Sequence, residues 1–155
     1  MMKRLLVVLA AFLVLPSAML AQSAADSAAI VKTALDYIEG YYTGDGERMD
    51  GALHPELSKR IVLTEPSSGN SQLRNMTAEE LVAATASGYG TRTPEAERQM
   101  DVTILDIFEN AASVKIVAHD WIDYLHIGKY DGKWVIVNVL WEFKPEALER
   151  MRGGG

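Results

Sequence analysis

The sequence predicts an α+β domain in which helices come first and an antiparallel meander follows, and three observations predict it. Apolar residues recur at three- and four-residue spacing early in the chain, with Ile30, Ala34, Tyr37, Ile38 and Tyr41 the clearest set. From Asp101 onward the period changes to two. Residues 120–143, DWIDYLHIGKYDGKWVIVNVLWEF, then read as two strands joined by Asp131-Gly132, a dipeptide that tolerates positive φ in a tight hairpin. This order of elements packs helices on one face of a sheet.

The first residues read as a processing signal. Lys3-Arg4 form a short positive region, and Leu5 to Leu15 an uninterrupted apolar run that ends at Pro16, with Ala21 the expected last residue of the removed segment 1–21. Eleven apolar residues fall short of the roughly 20 that a membrane-spanning helix needs, although a retained anchor is the other reading. The expected location is therefore outside the cytoplasm, periplasmic or secreted. With no cysteine there is no lipid attachment point and no disulfide framework. Removing 1–21 leaves 134 residues, enough for one domain with its own core, and takes the formal charge from −6 to −8. An acidic chain without a basic stripe is a poor partner for nucleic acid or anionic membrane surfaces. A small molecule or a protein partner is left.

The elements follow in order. Residues 22–27 are a polar lead-in in which Asp26 or Ser27 can cap a helix, and the first helix runs from Ala28 to about Thr43. Gly44-Asp45-Gly46 ends it, and Glu47 to Leu53 reads as a short second helix before His54-Pro55. One apolar run, Arg60-Ile61-Val62-Leu63, precedes a loop from Pro66 to Ser71. Thr77-Ala78-Glu79-Glu80 is a capping box that opens a third helix, which fades at Ser87-Gly88. Strands are expected over Asp101–Phe108, Ala112–Gly128 and Lys133–Phe143, and residues 146–155 as a flexible tail after a domain spanning 28–145.

The last strand is apolar at nearly every position, whereas a half-buried strand alternates, so both of its faces need cover. A two-residue turn at Asp131-Gly132 pairs Ile127 with Ile136, Leu125 with Asn138, Asp123 with Leu140 and Trp121 with Glu142. Directly opposed residues share a face. One face then holds Trp121, Asp123, Leu125, Trp134, Asn138 and Leu140; the other holds Tyr124, Val135, Val137, Val139 and Trp141. A one-residue bulge would exchange part of this assignment.

Several local motifs resemble the nuclear transport factor 2-like superfamily, and within it the putative lumazine-binding family. They are Asp36-Tyr-Ile-Glu-Gly-Tyr-Tyr-Thr-Gly-Asp45, Arg48-Met49, Ala52-Leu-His-Pro-Glu-Leu57 and Met76-Thr-Ala-Glu-Glu-Leu81, with Asp120 to His126 and Gly132 to Trp141 closing the set. The resemblance covers about Ala28 to Pro145 and implies a cone: three N-terminal helices closing a strongly bent antiparallel sheet around a pocket. It also implies that the Trp134/Ile136 face is the concave one and that dimers form through sheet faces. The superfamily hosts isomerases, dehydratases, cyclases and non-catalytic binding domains, so the fold alone does not choose among them.

On that footing Tyr37, Tyr41, His54, Trp121, Asp123, Trp134, Asn138 and Leu140 are the expected pocket residues, and Tyr124, Val135, Val137, Val139 and Trp141 the expected homodimer face. An uncovered apolar sheet face would exceed the patch that monomers usually expose, although a terminal segment is the other candidate cover. The primary expectation is an exported, non-catalytic domain that binds a small aromatic or apolar molecule, with no cofactor and no metal. The alternative is a general acid/base enzyme using Asp123 with His54, since a carboxylate on a mostly apolar face suits proton transfer. Some enzymes of the superfamily carry His and Asp where Asn138 and Leu125 stand here, which weighs against that chemistry. His119, Asp120, Asp123 and His126 divide between the two faces of a strand, so no three converge on a metal.

Overall fold

The computed structural model describes the backbone of residues 15–153 and the side chains of residues 24–153. Residues 1–14, the greater part of the expected signal segment, lie outside the described residues. The described residues form four α-helices and a single six-stranded sheet. Helix α1 spans Leu15–Thr43, α2 Gly46–Ala52, α3 Ala78–Ala86 and α4 Pro145–Gly153. The strands are β1 Leu53–Thr64, β2 Ser71–Thr77, β3 Met100–Phe108, β4 Ala111–Ala118, β5 Trp121–Tyr130 and β6 Lys133–Phe143. Two short 3-10 turns, Gly90–Arg92 and Glu95–Glu97, bridge α3 to β3.

Helix α1 lies on the sheet through the face that its periodicity marks: Ile30, Ala34, Tyr37 and Ile38 are all buried. Lys129 and Trp134 both reach Asp26, at 2.8 and 3.0 Å, so the expected lead-in is part of the helix and is tied to the closing hairpin. Those two hydrogen bonds hold the Asp26 carboxyl below its ordinary value. The chain then reverses at Gly44, whose φ is +72°, and Asp45 caps α2 by accepting from the Arg48 N–H at 2.9 Å. Arg48 in turn bridges back to Asp36 and Glu39 on α1. The Thr77 capping box forms in both directions, Glu80 N–H to Thr77 Oγ1 at 3.2 Å and Thr77 N–H to the Glu80 carboxylate at 2.8 Å.

The strand order is β2-β1-β6-β5-β4-β3, and β1 runs parallel to β6, so the sheet is mixed and not antiparallel throughout. The β1–β2 hairpin also stands between α2 and α3, so the three helices do not precede the sheet as a block. Strand β2 escapes a reading by hydropathy because six of its seven residues are exposed, leaving no alternation to detect. At the other end, residues 145–153 form α4 where the glycine-rich ending suggests a loose tail. Ala147 is buried beneath it and Arg150 pairs with Asp120.

The closing hairpin decides the faces. Tyr130 pairs with Lys133 and Ile127 with Ile136, as a two-residue turn requires, and Asp131 adopts the positive φ of 48°. Next, His126 pairs with Asn138, so Val137 is one extra residue in β6. Every pairing beyond it is displaced by one: Leu125 opposes Val139, Tyr124 opposes Leu140 and Asp123 opposes Trp141. Val139 and Trp141 therefore belong to the concave side, and Val139 is fully buried. Asn138 and Leu140 belong to the convex side, where Leu140 is 49% exposed. The expected inner set loses Asn138 and Leu140, and the expected dimer face loses Val139 and Trp141. Val135 lies opposite Gly128 and is buried, while Val137 and Tyr124 remain exposed on the convex side.

Candidate ligand-binding site

Between α1, α3 and one end of the sheet lies a cavity of about 800 Å³. That is within the range of roughly 300–1,000 Å³ typical of small-molecule sites. Its aromatic lining comes from Tyr37 and Tyr41 of α1, Trp121 of β5, Trp141 and Phe143 of β6, and Tyr89 in the segment after α3. The rings meet edge to face, Tyr41 against Trp121 at 5.2 Å and Trp141 against Phe143 at 4.7 Å. Each such contact is worth about 0.5–1.5 kcal/mol beyond the area it buries, so the rings brace one another in the wall. Leu81 and Ala84 of α3 form the opposite wall.

At the base sits a buried ion pair. Lys59 of β1 donates from Nζ to Asp123 Oδ1 at 2.6 Å and to the Tyr37 hydroxyl at 2.6 Å. The second oxygen of Asp123 accepts from Trp121 Nε1 at 2.6 Å and from the Tyr37 hydroxyl at 3.2 Å. Asp123 is fully buried and Lys59 7% exposed. Four hydrogen bonds thus join four side chains from α1, β1 and β5, which is what an ion pair out of water needs to be tolerated. Burial pulls the Lys59 ammonium down from its ordinary value, opposed by the Asp123 carboxylate beside it. Burial, and then Asp123, push the Tyr37 hydroxyl well above its usual range, and burial pushes Tyr41 up to about 12. Both phenols are neutral at any physiological pH.

The expected pocket residues part company here. Tyr37, Tyr41 and Trp121 face the cavity, whereas Asp123 is behind its wall, covered by Lys59, Tyr37 and Trp121. Trp134 is in the core beneath the start of α1, bound to Asp26, and does not line this cavity. Asn138 is outside, accepting from Arg60 at 3.1 Å. His54 packs edge-on to Tyr130 at 4.7 Å, and its Nδ1 accepts the Glu56 N–H at 3.1 Å. Tyr130 and Asp123 sit at opposite ends of β5, separated by about 23 Å at the usual strand rise. The Asp123–His54 pair required by the acid/base alternative is not assembled.

The mouth is formed by the segment after α3 together with His119, Asp120 and Met151 of α4. His119 Nε2 lies 3.4 Å from Glu97 and 3.5 Å from Asp120. Among the described residues no three His, Asp or Glu side chains form a metal-binding group.

A family model described as putative lumazine-binding matches residues 25–142. The chain belongs to the putative lumazine-binding family. Solved structures agree at the level of the fold. An NTF2-like protein of unknown function from Shewanella baltica OS155 aligns over 79% of this chain and 96% of its own, at 20% identity and a TM-score of 0.61. An NTF2-like protein with a cystatin-like fold from Novosphingobium aromaticivorans covers 88% of this chain and 95% of its own, at 12% identity and 0.62. A further NTF2-like protein of unknown function, from Silicibacter pomeroyi DSS-3, gives 15% and 0.61 over 79% of this chain and 98% of its own. A search of curated proteins gave no match. At these identities the likeness establishes the family's NTF2-like fold and carries no residue's role.

Lys59, Trp141, Phe143, Tyr89 and Arg92 are among the lining residues that were not expected from the sequence. A signal for Lys59 is present: Leu57, Lys59 and Ile61 alternate along β1 and are all buried, so a lysine stands on the inward side of an apolar strand. For Trp141 and Phe143 no such signal exists, because the bulge at Val137 reverses the phase of the alternation without altering composition.

Proposed function

We propose that this protein is an exported domain that binds a small, planar, largely apolar molecule in the aromatic cavity and does not transform it. The observation that carries the reading is the combination of an open aromatic chamber with a basal ion pair closed on itself. Asp123 accepts from three side chains and stands behind the wall, so it is not available to take a proton from a ligand. Lys59 is occupied by Asp123 and Tyr37 and covers one side of the Trp141 ring, 4.9 Å from its centroid. The family description, naming a planar heterocycle, supports the same ligand shape. Burying about 200 Å² of a two-ring aromatic at about 25 cal/mol per Å² yields about 5 kcal/mol, a dissociation constant of about 0.2 mM before any polar contact.

Export and self-association belong to the same reading. The apolar run before Pro16 supports the first. The second is supported by the convex patch of Tyr124, Val137 and Leu140, which are 38–49% exposed on adjoining strands. Native mass spectrometry of protein expressed with its leader and purified without refolding tests all three parts at once. The expected spectrum is a dimer of chains that begin at Gln22, carrying up to one small molecule per chain that leaves intact on collisional activation. Unliganded chains, together with no saturable change in tryptophan emission across a panel of planar aromatics, would sink the binding claim. A monomer or an uncleaved N-terminus would sink the other two.

A further inference from the structure

Of the charged side chains that line the cavity, Lys59 and Asp120 have partners of opposite charge and Arg92 stands apart. Lys59 is paired with Asp123, and Asp120 with Arg150 of α4. Arg92 also lines the cavity, and among the described residues it has no acidic partner. Its guanidinium carbon lies 4.5 Å from the ring centroid of Tyr89, another lining residue, a cation–π distance that leaves its N–H groups to donate.

This arginine is held in place. It ends the 3-10 turn Gly90–Arg92, and Gly90 touches α1 so closely that a Cβ there would meet the Tyr41 carbonyl oxygen at 2.1 Å. The turn is closed by Thr91 Oγ1 donating to the Gly88 carbonyl at 2.8 Å and by the Thr93 N–H to the Gly90 carbonyl at 3.2 Å. Tyr41, Tyr89 and Arg92 thus form a rim on an anchored turn: a ring inside the chamber, a ring at its edge and a cation 4.5 Å from the centroid of the second ring. In a chain of formal charge −6, Arg92 puts an unpaired positive group at the entrance to an apolar chamber, alongside Asp120 and Glu97, which face His119 and Arg150.

From this geometry we infer that the ligand is an aromatic acid: its ring occupies the chamber, and its carboxylate remains at the mouth, bound by the edge of Arg92. The inference rests on the binding reading above and adds the ligand's charge and orientation to it. A guanidinium receives a carboxylate through two parallel N–H donors, and its contact with Tyr89 lowers the cost of fixing the side chain. Because Arg92 is exposed, the gain is that of a solvent-accessible pair, about fivefold in affinity at low salt. Salt should reduce it.

The test compares 2-naphthoate with 2-naphthamide, its neutral near-isostere, by calorimetry on the full folded protein and on Arg92→Gln. The acid is expected to bind about fivefold tighter than the amide at low ionic strength, with the ratio shrinking as salt is added and falling to about one in Arg92→Gln. Equal affinities in the wild-type protein, or a preference that survives Arg92→Gln, overturn the assignment while leaving the binding reading in place. If neither compound binds, the binding reading falls and this assignment falls with it.

Discussion

Lys59 and Asp123 illustrate how a residue's company sets its role. From the sequence, Asp123 is an acidic side chain on an apolar strand and thus a candidate acid or base. In the fold, its two oxygens face an ammonium, a phenol and an indole N–H, all within 3.2 Å, and it becomes the anchor of a structural network. Removing one member of a buried pair leaves the other charge uncompensated, at a cost of about 3–5 kcal/mol, a large share of the 5–15 kcal/mol that holds a domain together. Asp123→Asn is therefore expected to lower unfolding free energy by about that amount in urea titrations, and the double variant Lys59→Met/Asp123→Asn to recover part of it. An Asp123→Asn protein as stable as the wild type would mean that the network contributes little and that Asp123 is kept for something else. The position of Asp123 on an inward face was legible from strand alternation. Its partners were not, because the Lys59 contact spans 64 residues of chain and no local pattern encodes it.

At the scale of elements, local chemistry was legible wherever one short segment satisfies itself. The Thr77 capping box, the Asp131-Gly132 turn and the buried stripe of α1 all form as their residues require. Strand β2 was invisible because it is exposed almost throughout, and the parallel β1–β6 pairing because it joins segments far apart in sequence. The Val137 bulge is the most consequential case, since one unpaired residue moves Val139 and Trp141 inward and Asn138 and Leu140 outward. It yields opposite expectations for two neighbouring positions. Val139→Asp would bury an unpaired carboxylate and should cost more than about 3 kcal/mol, whereas Leu140→Asp should change stability by less than about 1 kcal/mol. Thermal or urea unfolding of the two variants decides between the registers, and the reverse ranking would restore the unbulged hairpin.

For the whole molecule, the mixed sheet and α1 and α3 enclose an aromatic chamber at one end, while at the hairpin end Trp134, Ile136 and Thr33 are buried beneath α1. The motifs shared with the family mark out this architecture over nearly the whole domain, because they include the turns and caps that fix where elements begin and end. They do not mark out the cavity's lining, because that depends on a register the motifs leave open. A planar ligand is expected to sit in this chamber. Calorimetric titration of Ala84→Trp with 2-naphthol tests it most directly, since Ala84 is on the α3 wall and an indole there fills the space without touching the basal network. The expected result is saturable binding to the wild-type protein with a dissociation constant of about 0.2 mM, and a loss of at least about tenfold in a variant that still unfolds cooperatively. Wild-type affinity in a folded Ala84→Trp protein would place the ligand elsewhere and contradict the account.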